Sequence, residues 1–125
     1  MKLTFLGHAT FLLEVNGKVL LIDPFIRGNK QAAHLSIDTL KPDYILITHG
    51  HEDHMKDAEE LAKKNDSPLI SNYEIISWFE KKGMKGHGLN FGGKIVFDFV
   101  TIKYVQAVHS SMLLGVYTAA IREVL

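Results

Sequence analysis

Three histidines and two carboxylates fall within six consecutive residues, His49-Gly50-His51-Glu52-Asp53-His54. Neutral imidazole and carboxylate suit zinc, manganese or iron, and the chain has no cysteine to offer a thiolate instead. In an extended segment His49 and His51 project to one side by the period of two, so two ring nitrogens can meet one ion. After a chain reversal over Gly50 to Asp53, Asp53 and His54 can face a second ion beside the first, with Glu52 pointing away. A solvated loop opening a helix would account for Asp53, which the helix dipole favours there. It does not account for three imidazoles in six residues. The spacing alone says metal site.

The flanking residues place that cluster between a strand and a helix. Tyr44-Ile45-Leu46-Ile47-Thr48 is an apolar, β-branched run of the kind buried on both faces of a sheet. Beyond the cluster, Met55, Ala58, Leu61 and Ala62 recur at helical spacing, predicting an amphipathic helix over 55–64. Upstream, 2–6, 11–15 and 18–22 read as strands, and Asn16-Gly17 between the last two is a strong hairpin signal because both turn positions tolerate positive φ. Asp23-Pro24 ends the third strand, since proline cannot continue a ladder. Residues 25–36 read as a loop and 36–40 as a helical turn stopping before Pro42. Pro68-Leu69-Ile70 is a brief strand, and Ser71 with Glu74 forms a capping-box pattern for a helix carrying Ile75, Ile76, Trp78 and Phe79 to Gly83. Residues 84–93 are glycine-rich and read as irregular, and 94–100 and 101–108 alternate as strands before His109. Hairpin, then β-α-β-α, then further strands is the order of a mixed α/β sandwich, with ligands expected at the strand ends.

Composition narrows the classes. With 125 residues, 46% hydrophobic and 22% charged, the chain is neither disordered nor low-complexity. Fourteen basic and fourteen acidic residues give a net charge of +0, so no global field attracts nucleic acid. No apolar run approaches the ~20 residues of a membrane helix, and the opening residues lack a signal-peptide apolar region. A cytoplasmic protein without membrane or nucleic-acid partners is expected.

The motif H-x-H-x-D-H at 49–54 resembles the metallo-β-lactamase superfamily. Further pieces are similar to its small metal-dependent hydrolase branch, related to the ascorbate-phosphate lactonase group: Phe5-Leu6-Gly7-His8-Ala9-Thr10, Leu21-Ile22-Asp23-Pro24-Phe25, Asn72-Tyr73-Glu74, His87-Gly88-Leu89-Asn90-Phe91-Gly92-Gly93 and Val105-Gln106-Ala107-Val108-His109-Ser110-Ser111. The resemblance covers roughly residues 1–111. It implies an αβ/βα sandwich and a binuclear centre, in which His49, His51 and His109 hold the first metal while Asp53 and His54 begin the second site. It also implies hydrolysis by a metal-activated water, with Asp53 as the catalytic group that orients it. The family places a bridging Asp and a further His downstream, whereas residues 110–125 contain neither, and Glu123 is their one acid. The expectation is therefore the N-terminal half of the sandwich within 1–125, with a tail over 112–125 that departs from the pattern. In that tail Leu113, Val116, Ala120 and Val124 fall near helical spacing, extended by Tyr117 and Ile121. An apolar face left uncovered predicts a homo-oligomer.

Other residues carry weaker signals. By the resemblance His8 lies near the metals, touching a ligand or substrate, though a turn residue is as good a reading. Asp23 can orient a metal-binding histidine, since such ligands donate their other N–H to a carboxylate or carbonyl; Asp-Pro is also a common turn pair. His87, with Asn90, Gly92 and Gly93, lines a substrate loop or a connector. Ser110 and Ser111 have no basic partner in the sequence, His34 reads as solvated, and Trp78 and Phe79 read as core. The resulting reading is a hydrolase dependent on a divalent metal, zinc with manganese or iron as alternatives and up to two ions, acting on a small ester, lactone or phosphorylated substrate. The alternative is a catalytically incomplete metal-binding half-domain that acts only within an oligomer or assembly.

Overall fold

The computed structural model describes residues 1–113 and, at the level of the backbone, 123–124. Its centre is a six-stranded sheet in chain order, β1 (Lys2–Gly7), β2 (Thr10–Val15), β3 (Lys18–Ile22), β4 (Tyr44–Leu46), β5 (Leu69–Asn72) and β6 (Gly86–Leu89). The first three strands form an antiparallel meander, and β3 to β6 run parallel. The meander turns as expected at Asn16 (φ 47°) and Gly17 (φ 77°), both in the left-handed region that a two-residue hairpin loop requires.

Parallel pairing needs crossovers, and these are helical. Short 3-10 turns at Lys30–Ala32 and Ile37–Thr39 lie between β3 and β4; α1 (Glu52–Met55) and α2 (Ala58–Asn65) join β4 to β5; and α3 (Tyr73–Glu80) joins β5 to β6. Leu21, Ile45 and Leu69 stand side by side in register, are fully buried, and face the helices with Ile75, Phe79 and Leu61. Burial of each such side chain stabilises the fold by roughly 1.5–3 kcal/mol. Their chain neighbours Leu20, Leu46 and Ile70 point to the opposite face. A hairpin of β7 (Lys94–Val96) and β8 (Thr101–Lys103) covers that face, with Phe97 and Phe99 packed on Tyr44 at ring distances of 4.9 and 5.6 Å. A final pair, β9 (Val105–Gln106) with β10 (Glu123–Val124), is antiparallel.

Four expectations change. The helix over 55–64 is two helices, broken at Lys56-Asp57, because the buried Asp57 carboxylate turns away to accept the amides of Ile26 (2.7 Å) and Arg27 (2.9 Å). The cap of α3 is Asn72, which accepts from the Ile75 amide at 2.8 Å, whereas Ser71 remains in β5 and donates to the Ile47 carbonyl. The stretch over 84–93 contains β6, the outer parallel strand. Its glycines serve packing, since a Cβ at Gly86 would lie 2.7 Å from the Ile76 side chain of α3. The strands over 94–100 and 101–108 are interrupted, giving the short β7, β8 and β9. The helical stripe expected along the tail lies outside the described residues except for Leu113, which is buried, and Val124, which is in β10.

Candidate metal centre

The site gathers where strands β3 and β4 end, the position at which open α/β sheets hold ligands. Asp23 follows β3 with a left-handed φ of 47°, which short polar residues tolerate and which turns its carboxylate inward. Buried at 2% exposure, it accepts from the Thr48 amide (2.7 Å), the Thr48 hydroxyl (2.7 Å) and His54 Nδ1 (2.8 Å).

Those bonds determine where the ring protons sit. A carboxylate only accepts, so the Thr48 hydroxyl proton points to Asp23 and its oxygen must accept from His49 Nδ1, 2.9 Å away. His49 Nε2 is then left with a free lone pair. It faces His51 Nδ1 at 2.9 Å, and one proton is shared between two nitrogens that an ion could take together. On the other branch His54 uses Nδ1 for Asp23, leaving Nε2 as its ligand atom. Asp23 thus bonds one histidine directly, His54, and reaches His49 through the Thr48 hydroxyl.

His109 arrives from the segment after β9. The buried Tyr104 donates to the Thr48 carbonyl at 2.8 Å, fixing that segment to the strand end. Further on, the Gly50 amide donates to Ser111 Oγ at 2.9 Å. Only glycine fits there, because a Cβ at Gly50 would lie 2.3 Å from the Met112 carbonyl oxygen. The result is one cluster in which single ligand atoms of His49, His51 and His109 all lie within 4.8 Å of one another, and a second in which those of His8, Asp53 and His54 do the same. The two adjoin: the rings of His49 and His54 are 4.0 Å apart.

The electrostatics favour neutral rings. Burial, then the neighbouring His54, His51 and His109, hold His49 down to about pKa 3, and burial followed by His109 lowers His51. Neutral imidazoles carry the lone pairs that a cation needs. Three converging nitrogens, one of them on a ring only 3% exposed, fit a borderline divalent ion. The mixed nitrogen and oxygen set next to them fits another.

Glu52 does point away, exposed and 3.6 Å from Lys56. His87 belongs to neither cluster: it is exposed on β6, in register with Ile70. His34 is exposed as expected, and Phe79 is core with Trp78 packed beside it. Ser110 does meet a basic group, with Oγ 3.4 Å from His51 Nε2, a contact between residues too far apart in sequence for spacing to show. Asp57, whose carboxylate anchors the 24–27 loop beside the site, gave no sequence signal, because an acid among helix-spaced residues looks solvated. Among the described residues no helix is long and apolar enough to cross a membrane.

Comparison with known proteins places these features in context. The sequence model of the metallo-beta-lactamase superfamily matches residues 3–118. A UPF0173 metal-dependent hydrolase of Flavobacterium johnsoniae is 53% identical over 111 residues, covering 89% of this chain and 49% of that protein. One from Methylacidiphilum infernorum is 48% identical over 114 residues, covering 90% and 50%. A metallo hydrolase from the archaeon Ignicoccus hospitalis superposes with a TM-score of 0.80 at 32% identity, over 97% of this chain and 52% of its own. An isothiocyanate hydrolase from Delia radicum gut bacteria, 24% identical with a TM-score of 0.70 over 89% and 49%, shares the fold. The chain spans about half the length of the curated relatives it matches.

Proposed function

The chain belongs to the metallo-β-lactamase superfamily, among metal-dependent hydrolases, and from that membership we propose that it hydrolyses a small ester, lactone or phosphorylated substrate. The observation that carries this reading is the convergence of His49, His51 and His109 beside Asp53 and His54 at the strand ends. His49, His51 and His109 would hold one divalent cation, zinc with manganese or iron as alternatives, and Asp53 and His54 would contribute to a second. Bound there, such a cation lowers the pKa of water and polarises a carbonyl or phosphoryl oxygen. Asp53 is half-exposed and held by His8 at 3.1 Å, so its carboxylate can orient an incoming water and accept its proton. Asp23 fixes the two histidine branches, so the ligand atoms need little rearrangement to serve a reaction. The setting proposed is the cytoplasm, with a homo-oligomer and no nucleic-acid partner.

A second reading rests on residues 110–125, which contain no Asp and no His. In it the chain is a metal-binding half-domain that turns substrate over only within an assembly. Both readings meet in one experiment: hydrolysis of a p-nitrophenyl ester and a phosphodiester after loading with zinc or manganese. The first reading expects turnover that falls at least ~100-fold in both His51→Ala and Asp53→Ala. Undiminished turnover in both variants overturns it, and metal binding without turnover selects the half-domain.

A further inference from the structure

The second cluster is three-membered within this chain, and its third member is His8. Sequence spacing leaves Asp53 and His54 without a companion, because His8 is distant along the chain and sits in the β1–β2 turn. The fold brings its Nε2 to 3.1 Å from Asp53 Oδ2, while His54 Nε2 lies 3.9 Å from Asp53 Oδ1. One oxygen of Asp53 therefore faces each imidazole.

His8 is held in place at some cost. Its φ is 56°, a left-handed conformation that an L residue with a side chain rarely adopts and that persists where the surroundings impose it. Here the Gln31 side chain accepts the His8 amide at 2.8 Å, and Gly7 lets the Asn29–Gln31 turn press close, since a Cβ on Gly7 would lie 2.5 Å from Gln31 Cβ. The imidazole is further flanked edge-on by Phe25 at 5.7 Å and His54 at 5.2 Å. With Nδ1 of His54 already taken by Asp23, the nitrogen left to His54 belongs to the same cluster as His8 Nε2.

We propose that His8 is the third ligand of the second ion, so that each ion finds three ligands among the described residues. The proposal rests on the functional reading above. It makes the donor set two nitrogens and an oxygen, a combination suited to zinc, manganese or iron.

The test is a zinc titration of the metal-stripped protein followed by native mass spectrometry, with manganese and electron paramagnetic resonance as a second readout. Wild type should take two zinc ions per chain and give the signal of a coupled manganese pair. His8→Ala should keep one ion, lose the coupled signal, and bind the second equivalent at least the ~10–100-fold more weakly that losing even an outer partner of a ligand costs. His8→Asp, which restores an oxygen donor, should recover the second ion. The His8 side chain is 42% exposed, so circular dichroism should show all three proteins equally folded. Two ions bound with unchanged affinity in His8→Ala, or only one ion in wild type, overturns the proposal while leaving the hydrolase reading standing. No ion bound by wild type overturns both.

Discussion

Asp23 sits at the branch point of the site, with Thr48 and His49 on one arm and His54 on the other. Because one buried carboxylate orients a ring in each cluster, the tautomers of the two sets are linked before any ion arrives. His49 shows the electrostatic result most plainly, since burial and its neighbouring imidazoles hold it near pKa 3 against an ordinary 6.5. The unfolded chain then binds more protons than the folded one between those two values, so stability is complete above about pH 6.5 and declines as pH falls toward 3. Urea midpoints of metal-stripped protein at pH 7.5, 6 and 5 should decrease, at a rate of up to about 1.4 kcal/mol per pH unit from this residue. His49→Gln should flatten that dependence; an identical slope in the variant would assign it to other groups.

At the scale of elements, the break between α1 and α2 matters more than either helix. A continuous helix would carry Asp57 outward, whereas the break lets it accept two loop amides next to the Asp23 turn. Asp57→Ala leaves the Ile26 amide buried without its partner, at about 1–3 kcal/mol, while the Arg27 amide is only part-buried and can turn to water. Chemical denaturation should show a loss of roughly 1–3 kcal/mol, and a loss below about 1 kcal/mol would mean water replaces the carboxylate at both amides. This break also marks where the sequence stops being readable. The meander, β4 and the helical faces follow from local pattern, and Asn16-Gly17 specified its own turn. The broken helix, the Asn72 cap and β6 depend on partners in other elements: the Ile26 and Arg27 amides, the start of α3, and the Ile76 side chain against Gly86. The site divides the same way. The cluster at 49–54 is visible as a string of residue types, whereas the contacts of Ser110 with His51 and of His8 with Asp53 exist only once the sheet has formed.

At the scale of the whole molecule, the described residues cover the two faces of the sheet unequally. One is closed by the helices, and the other is covered by the hairpin over β3 to β5 while Leu3 and Phe5 on β1 remain 60% and 55% exposed. Their register places them beside Leu13 and Phe11, in line with the covered rows. The homo-oligomer proposed above would cover these side chains. Light scattering at micromolar concentration should report a mass above that of one chain, and Leu3→Lys with Phe5→Lys should shift it to the monomer. A monodisperse wild-type monomer would refute this. One contact also bears on how the molecule is made. The Gly50 amide meets the Ser111 hydroxyl across 61 positions of sequence, so bringing His109 to His49 and His51 requires closing a long loop. The strands with the longest loops to close set the pace of such folding. During synthesis the nascent chain presents His8, Asp53 and His54 well before His109 emerges, so an ion taken by the second cluster could be aboard before the first cluster exists.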